Sequence, residues 1–416
     1  MGEAEERPGY YADPLFTEPP QQKRQTPDYY AEPLFTELPH QADRTPAWPV
    51  EELFYELPMP SQTVSALCSA TDAPPDMPLR QQVAGYSGKT WEEFVWEWAE
   101  SLKKERYVTV VGLGGSYDHG ADVAAFLTSR KTDGPWHCYQ AKCYAKAIIP
   151  AVAYPEIFKI IWAVAVGKYS VFPERYWFVA PKVSPALKQI LARPDQLKAE
   201  FLAWVEDNAL KLTHQYGDAA LQRTITLAQS LHFSCFDAPE TEKVLEQHAK
   251  SRYHAARFRR PLPDRPPAEE TPPHIEEHET PYIQKMLDVY GERHGASVST
   301  LEQVKKHPEA KANLQNQREA FYRAEQLRTF CRDSVPPGTY AWLQKAVYSG
   351  VKEVEEDDHM TGWARLKAVV NTAQLMHLGS NQLIDKVEPD DRKGICHQLA
   401  NDGKLTWVRK GVPWNR

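Results

Sequence analysis

Apolar and polar positions change rhythm several times along the chain. From Thr90 the residues Trp91, Phe94, Val95, Trp98 and Leu102 recur at helical spacing, and Thr90 with Glu93 three residues on has the form of a capping box. Tyr107 to Val111 turns β-branched and predicts a strand, ended by Gly112, Gly114 and Gly115. A short strand, Val123 to Leu127, a polar loop and a third strand, Trp136 to Cys143, follow. Tyr154 to Lys168 then reads as a helix, Arg175 to Pro181 as a buried strand, and Asp195 to Leu210 as a further helix. The order is α-β-β-β-α-β. Residues 281–416 read as helical: Asn313 to Arg332, Thr361 to Leu378 and Lys393 to Asn401, with a terminal strand at Leu405 to Val408. Gly350 and Gly379 suit helix C-termini there.

Composition divides this pattern. Of 34 prolines, 11 fall in residues 1–60 and seven in residues 261–281, where regular helix and sheet interiors are disfavoured. The reading is a Pro-rich arm over 1–65, an α/β domain over 82–240, a basic then acidic Pro-rich linker over 241–280, and a helical domain over 281–416. The arm carries a repeat. Tyr11-Ala12-Asp13-Pro14-Leu15-Phe16-Thr17-Glu18 matches Tyr30-Ala31-Glu32-Pro33-Leu34-Phe35-Thr36-Glu37, and Glu52-Leu53-Phe54-Tyr55-Glu56-Leu57-Pro58 is a third copy at the same 19-residue offset. The copies read either as three linear motifs, each offering a Leu-Phe anchor to a groove, or as an inert duplicated tail.

Charge and cysteine content mostly exclude. With 49 basic and 56 acidic residues the net charge is −7, so this is no histone-like basic binder. The longest apolar run, Ile160 to Val166, is far too short to span a membrane, and the acidic N-terminus lacks a signal-peptide core. Six cysteines without a C-x-x-C pair fit reduced thiols in a cytoplasmic protein.

The candidate chemistry lies in the middle. The glycine-rich turn after the first strand lacks both G-x-G-x-x-G and G-K-[ST], so it is no phosphate loop. Strand alternation puts Trp136, Cys138, Gln140 and Lys142 on one face. A lysine and a glutamine on a buried hairpin, with Asp122 across the turn, are costly to bury, and metal-assisted hydrolysis supplies a reason for them. Gly120-x-Asp122, a hairpin, then Gln140-x-Lys142 resembles the PD-(D/E)xK nuclease superfamily in its Mrr-like Q-x-K variant. The resemblance implies an α/β restriction-endonuclease-like core, a mixed sheet flanked by helices, that cuts DNA. It implies Mg²⁺ or Mn²⁺ at Asp122 and Gln140, with Lys142 steering the attacking water. It also implies a further carboxylate, Glu97 on the preceding helix first, Asp118 second and Glu93 third. Lys159 reads as a phosphate contact or as a solvated helix face. Arg252 and Arg257, in the basic run Lys250 to Arg260, read as contacts to a DNA backbone, as partners of the acidic linker, or as an ordinary linker.

A second resemblance covers the C-terminal part. Gln317 to Arg328, Arg332-Asp333 and Gly394-Ile395-Cys396-His397-Gln398-Leu399-Ala400-Asn401 are similar to the C-terminal domain of ABC-three-component defence proteins, including Lamassu-type effectors. That resemblance implies an SMC-like ABC ATPase and a small third component as partners, double-stranded DNA as substrate, and release followed by homo-oligomerisation as the route to activity. The expected function is a Mg²⁺-dependent DNA endonuclease effector. The alternatives are a non-catalytic scaffold on a degenerate nuclease fold, or a restriction-type endonuclease.

Overall fold

The computed structural model describes residues 77–103, 105–113, 119–295, 298–379 and 382–409. The repeat arm, residues 1–65, and Asp118 lie outside the described residues. Helix α1 (Leu79–Ala84) leads into α2 (Gly88–Ser101), whose cap is Ser87 rather than Thr90: the Ser87 hydroxyl accepts the Thr90 backbone N–H. Strands β1 (Thr109–Gly112), β2 (Val123–Phe126) and β3 (Trp136–Ala141) form an antiparallel meander. Helix α3 (Pro150–Ala165) crosses over to β4 (Arg175–Val179), which pairs with β3 in parallel, and the two-residue β5 (Phe236–Asp237) pairs in parallel with β4. The strand order is therefore β1-β2-β3-β4-β5 in a mixed sheet.

The period-2 alternation of the strands sorts the two faces. Val123, Ala125, Tyr139 and Ala141 pack under α2 with Trp91, Phe94, Val95 and Trp98. Ala124, Phe126, Trp136, Cys138 and Tyr176 pack against Ile157, Phe158, Ile160 and Ile161 of α3. Behind α3 lie α4 (Pro185–Leu191), α5 (Pro194–Asp207), α6 (Ala209–Tyr216) and α7 (Asp218–Ser230). The single helix expected over 195–210 thus ends at Asp207, and a second begins at Ala209.

Residues 241–260 are not extended linker. They form α8 (Thr241–His248) and α9 (His254–Phe258). Phe258 joins the core beneath α2, whereas Ala255 and Leu262 join the C-terminal core. The Pro-rich stretch that follows is strapped to the C-terminal unit: Arg265 pairs with Asp391, Lys386 with Asp264, and Arg318 donates to the Pro272 and His274 carbonyls. The C-terminal unit comprises α10 (Thr280–His294), α11 (Leu301–Val304), α12 (Pro308–Ser334), α13 (Thr339–Glu356), α14 (Gly362–Leu375) and α15 (Pro389–Asn401). Gly350 sits inside α13, not at its end, and the tip of Met376 takes the space a Cβ there would need. The expected terminal strand is absent: Leu405 and Trp407 are buried in the helical core without a pairing partner strand. Among the described residues no helix is long and apolar enough to cross a membrane.

Candidate active site

The edge of the sheet where β1 and β3 end and β2 begins brings the hairpin residues together. Gly120 adopts φ +86°, and a Cβ on it would press on the α3 backbone at Ile160 and on Lys159, so only glycine fits the turn. Its carbonyl accepts the Tyr176 hydroxyl at 2.9 Å, which ties the turn to β4. Two residues on, Asp122 is buried, and its Oδ2 accepts the Ala141 backbone N–H at 2.7 Å and the Gln140 side-chain amide at 2.8 Å. Gln140 is fully buried, with its Oε1 3.2 Å from the Tyr176 hydroxyl. Lys142 extends the parallel pairing, its N–H donating to the Val179 carbonyl at 2.9 Å.

The Lys142 side chain ends at a group that the motif does not contain. Its Nζ lies 3.5 Å from Oε1 of Glu156 on α3, and Lys159 reaches the same oxygen at 3.3 Å. Burial pushes the Glu156 carboxyl up, but the two ammonium groups outweigh it and hold the acid below its ordinary value. The signal for Glu156 was present in the sequence: in Pro150–Ala165 it is the lone acid, three residues from the lone lysine, in an otherwise apolar helix. Tyr176, an unremarkable strand tyrosine, left no such mark.

Glu97 is elsewhere. It sits on α2, the helix covering the opposite face, where Arg257 of α9 grips both its oxygens at 2.5 and 2.7 Å and His248 of α8 donates at 3.0 Å. Its carboxyl, raised by burial, is brought below its ordinary value by these two donors. Glu93 lies 3.8 Å from the same guanidinium. The structure therefore does not bring Glu97 or Glu93 to Asp122. It likewise turns the arginines inward: Arg257 is consumed by Glu97, and Arg252 pairs with Glu100 at 2.8 Å. Neither faces the acidic strap, which is held by the C-terminal unit. Lys159 is at the site, paired with Glu156.

Whether a divalent cation suits this edge rests on the donors. Asp122 and the Gln140 carbonyl are hard oxygen donors, and Mg²⁺ commonly takes one or two carboxylates and completes its shell with water and substrate phosphate. Among the described residues no group of three His, Cys, Asp or Glu side chains could hold a metal. Gln140 turns its amide N–H toward Asp122. Turning the amide over would offer the oxygen instead. Tyr176 tolerates either state, because a hydroxyl accepts from the amide N–H as readily as it donates to the amide oxygen, and the Gly120 carbonyl remains a second acceptor. The residues fit the ion in kind, with substrate oxygens required to complete its shell.

Residues 279–407, most of the helical C-terminal unit, match the model of C-terminal domain 6 of the ABC-three component (ABC-3C) systems. The match supports the chain as a component of such a defence system. No curated protein and no solved structure matches the chain.

Proposed function

We propose that the chain is the nuclease effector of an ABC-three-component defence system. On this reading the sheet edge at Asp122 hydrolyses phosphodiester bonds in double-stranded DNA, and the C-terminal domain docks onto the system's other components. The observation that carries it is the direct hydrogen bond from Gln140 to Asp122, beside Lys142, on one end of a mixed sheet with α-β-β-β-α-β order. Asp122 and the turned Gln140 amide would hold Mg²⁺ or Mn²⁺, and the bound ion would polarise the scissile phosphate. Lys142 supplies a fixed positive charge for the phosphate oxygens and a donor that orients the attacking water. Glu156 acts as a positioning residue: with Lys159 it holds the Lys142 ammonium at the sheet edge and keeps the site near charge balance. Among the partners, the resemblance favours an SMC-like ABC ATPase and a small third component that restrain the effector until its release and oligomerisation.

The test is supercoiled plasmid with Mg²⁺, incubated with the chain alone and with its system components. Cleavage is expected under one of these conditions and is expected to fall at least 100-fold in Asp122→Asn and in Lys142→Ala, with unchanged circular dichroism. Glu156→Gln is expected to lose about tenfold in rate and to shift the alkaline limb of the pH profile, since Lys142 loses its anionic neighbour. Cleavage surviving both Asp122→Asn and Lys142→Ala overturns the assignment. One observation favours a non-catalytic scaffold instead: the charges of Asp122, Glu156, Lys142 and Lys159 balance without a metal. Absence of Mg²⁺ or Mn²⁺ binding by calorimetry, with or without DNA, decides for the scaffold.

A further inference from the structure

A groove of about 280 Å³ opens where the chain leaves β4 and where α1 begins. Its lining is apolar at Ala147, Pro181, Val183 and Pro239, and it also carries three cations, Arg80, Lys182 and Lys188, against one acid, Glu240, with Thr241. One loop links it to the candidate site: the Lys142 N–H donates to the Val179 carbonyl at one end, and Ile148 donates to the Lys182 carbonyl at 3.0 Å at the other. At this volume the groove takes one or two side chains rather than a drug-sized ligand.

Its cations are weakly committed. Lys188 pairs with Glu240 at 2.6 Å and Arg80 with Glu242 at 2.5 Å, both at the surface, and Lys182 donates to the Ala145 carbonyl at 3.2 Å. Exposed pairs of this kind contribute about 0–1 kcal/mol each, so an incoming acid exchanges with them at little cost.

The chain itself carries the complementary ligand. Residues 1–76 hold 14 acids against 4 lysines and arginines, a net charge of −10, whereas residues 77–416 hold 42 against 45, a net charge of +3. Each Leu-Phe pair of the arm is flanked by acid on both sides, at the second residue before the leucine and the second after the phenylalanine: Asp13 and Glu18, Glu32 and Glu37, Glu51 and Glu56. An apolar pair between two acids matches an apolar lining that carries more cations than acids. The arm also joins the described chain at Met77, three residues before the lining residue Arg80. From Phe54 the 23 residues to Met77 span up to roughly 75 Å when extended at about 3.3 Å per residue, so each copy reaches the groove without strain. Tethering on this scale gives an effective concentration on the order of millimolar, which makes even a weak motif bind within its own chain.

We propose that the groove lined by Pro181, Val183 and Pro239 is the docking site for the Leu-Phe motifs of the same chain's N-terminal arm. The inference goes beyond the nuclease reading and does not depend on it. A docked motif brings the arm's acids beside Lys182 and Lys188. Three copies raise the docked fraction through rebinding, and any copy left undocked is free for another chain.

The experiment uses the full-length chain with Phe16, Phe35 or Phe54 replaced, one at a time, by photoreactive p-benzoylphenylalanine. After illumination, mass spectrometry maps the cross-links. The expected result is intra-chain linkage to peptides containing Ala147, Pro181 to Val183 or Pro239 to Thr241 for at least one of the three probes. The yield is expected to fall at least fivefold when Lys182→Glu and Lys188→Glu are combined, since both side chains are surface-exposed and their exchange leaves the core untouched. Linkage mainly to a second copy, linkage elsewhere on the chain, or a yield indifferent to the lysine changes overturns the proposal. Cross-linking yield is read without any cleavage, so its failure and failure of the nuclease reading are separate outcomes.

Discussion

Replacing Arg257 by methionine is the sharpest probe of how this chain is assembled. Arg257 is the charged residue through which α9, the helix between the two cores, grips α2: two hydrogen bonds to Glu97 at 2.5 and 2.7 Å, with Glu93 at 3.8 Å. Glu97 is 4% exposed. Removing the guanidinium leaves a buried carboxylate with only neutral His248 as partner. Unit charges about 4 Å apart at an effective dielectric near 20 attract by about 4 kcal/mol, and breaking a buried pair from one side costs about 3–5 kcal/mol. Arg257→Met is therefore expected to destabilise the chain by about 3–5 kcal/mol, measured by urea unfolding at pH 7. Adding Glu97→Gln removes the stranded charge, so the double variant is expected to recover at least about 2 kcal/mol relative to the sum of the single ones. Hydrogen exchange is expected to rise first over residues 241–258. The sign with pH is set by Glu97, whose folded pKa lies below its ordinary 4.5. Its contribution is present above the unfolded value and is lost as pH falls through the folded one. A loss under about 1 kcal/mol, or strict additivity, refutes the reasoning. The same variants test the alternative placement of Glu97 as a metal ligand: Glu97→Gln is expected to leave Mg²⁺ affinity unchanged, and a tenfold loss would return it to the site.

Two further outcomes concern the C-terminal domain. At Gly394, α15 crosses α12 so closely that an added Cβ falls on the Ala320 carbonyl, so Gly394→Ala is expected to cost about 3 kcal/mol, seen as a thermal melt lowered by several degrees. His397 is fully buried and donates Nε2–H to Gln317 at 2.8 Å, and burial lowers its pKa to about 3. The unfolded chain takes up that proton below about 6.5 and the folded chain does not, so stability is expected to fall by about 2 kcal/mol from pH 7 to pH 5 through this residue alone. His397→Gln removes that share of the slope in paired unfolding curves, and equal slopes would show the ring to be solvated.

The structure separates what each level of description decided. Element order was legible in hydrophobic period: the meander, its crossover helix and the parallel β4 follow from strand alternation and helical spacing over residues 90–181. Asp122, Gln140 and Lys142 were legible too, because strand parity alone puts Gln140 and Lys142 on one face and the turn returns Asp122 to it. The ends of elements were less so. Ser87 outcompetes Thr90 as a cap by one hydrogen bond, and Leu405 to Trp407 is apolar enough for a strand but finds a helical core instead of a sheet edge.

Charge partners are where sequence reading stops. A glutamate on an amphipathic helix carries no mark of whether it faces a metal or an arginine 160 residues away. Glu97, expected at the site, pairs with Arg257, and Glu156, which the motif does not contain, meets Lys142, because the two helices lie on opposite faces of the sheet. Arg252 and Arg257 likewise look like a DNA-contacting run in one dimension and are spent on Glu100 and Glu97 in three. The amino-acid order by itself determined periodicity, hence elements, their succession and the composition of each face. Pairing between distant ionic groups depends on desolvation and on distances of a few ångströms set by how elements cross, so only the tertiary structure decided it.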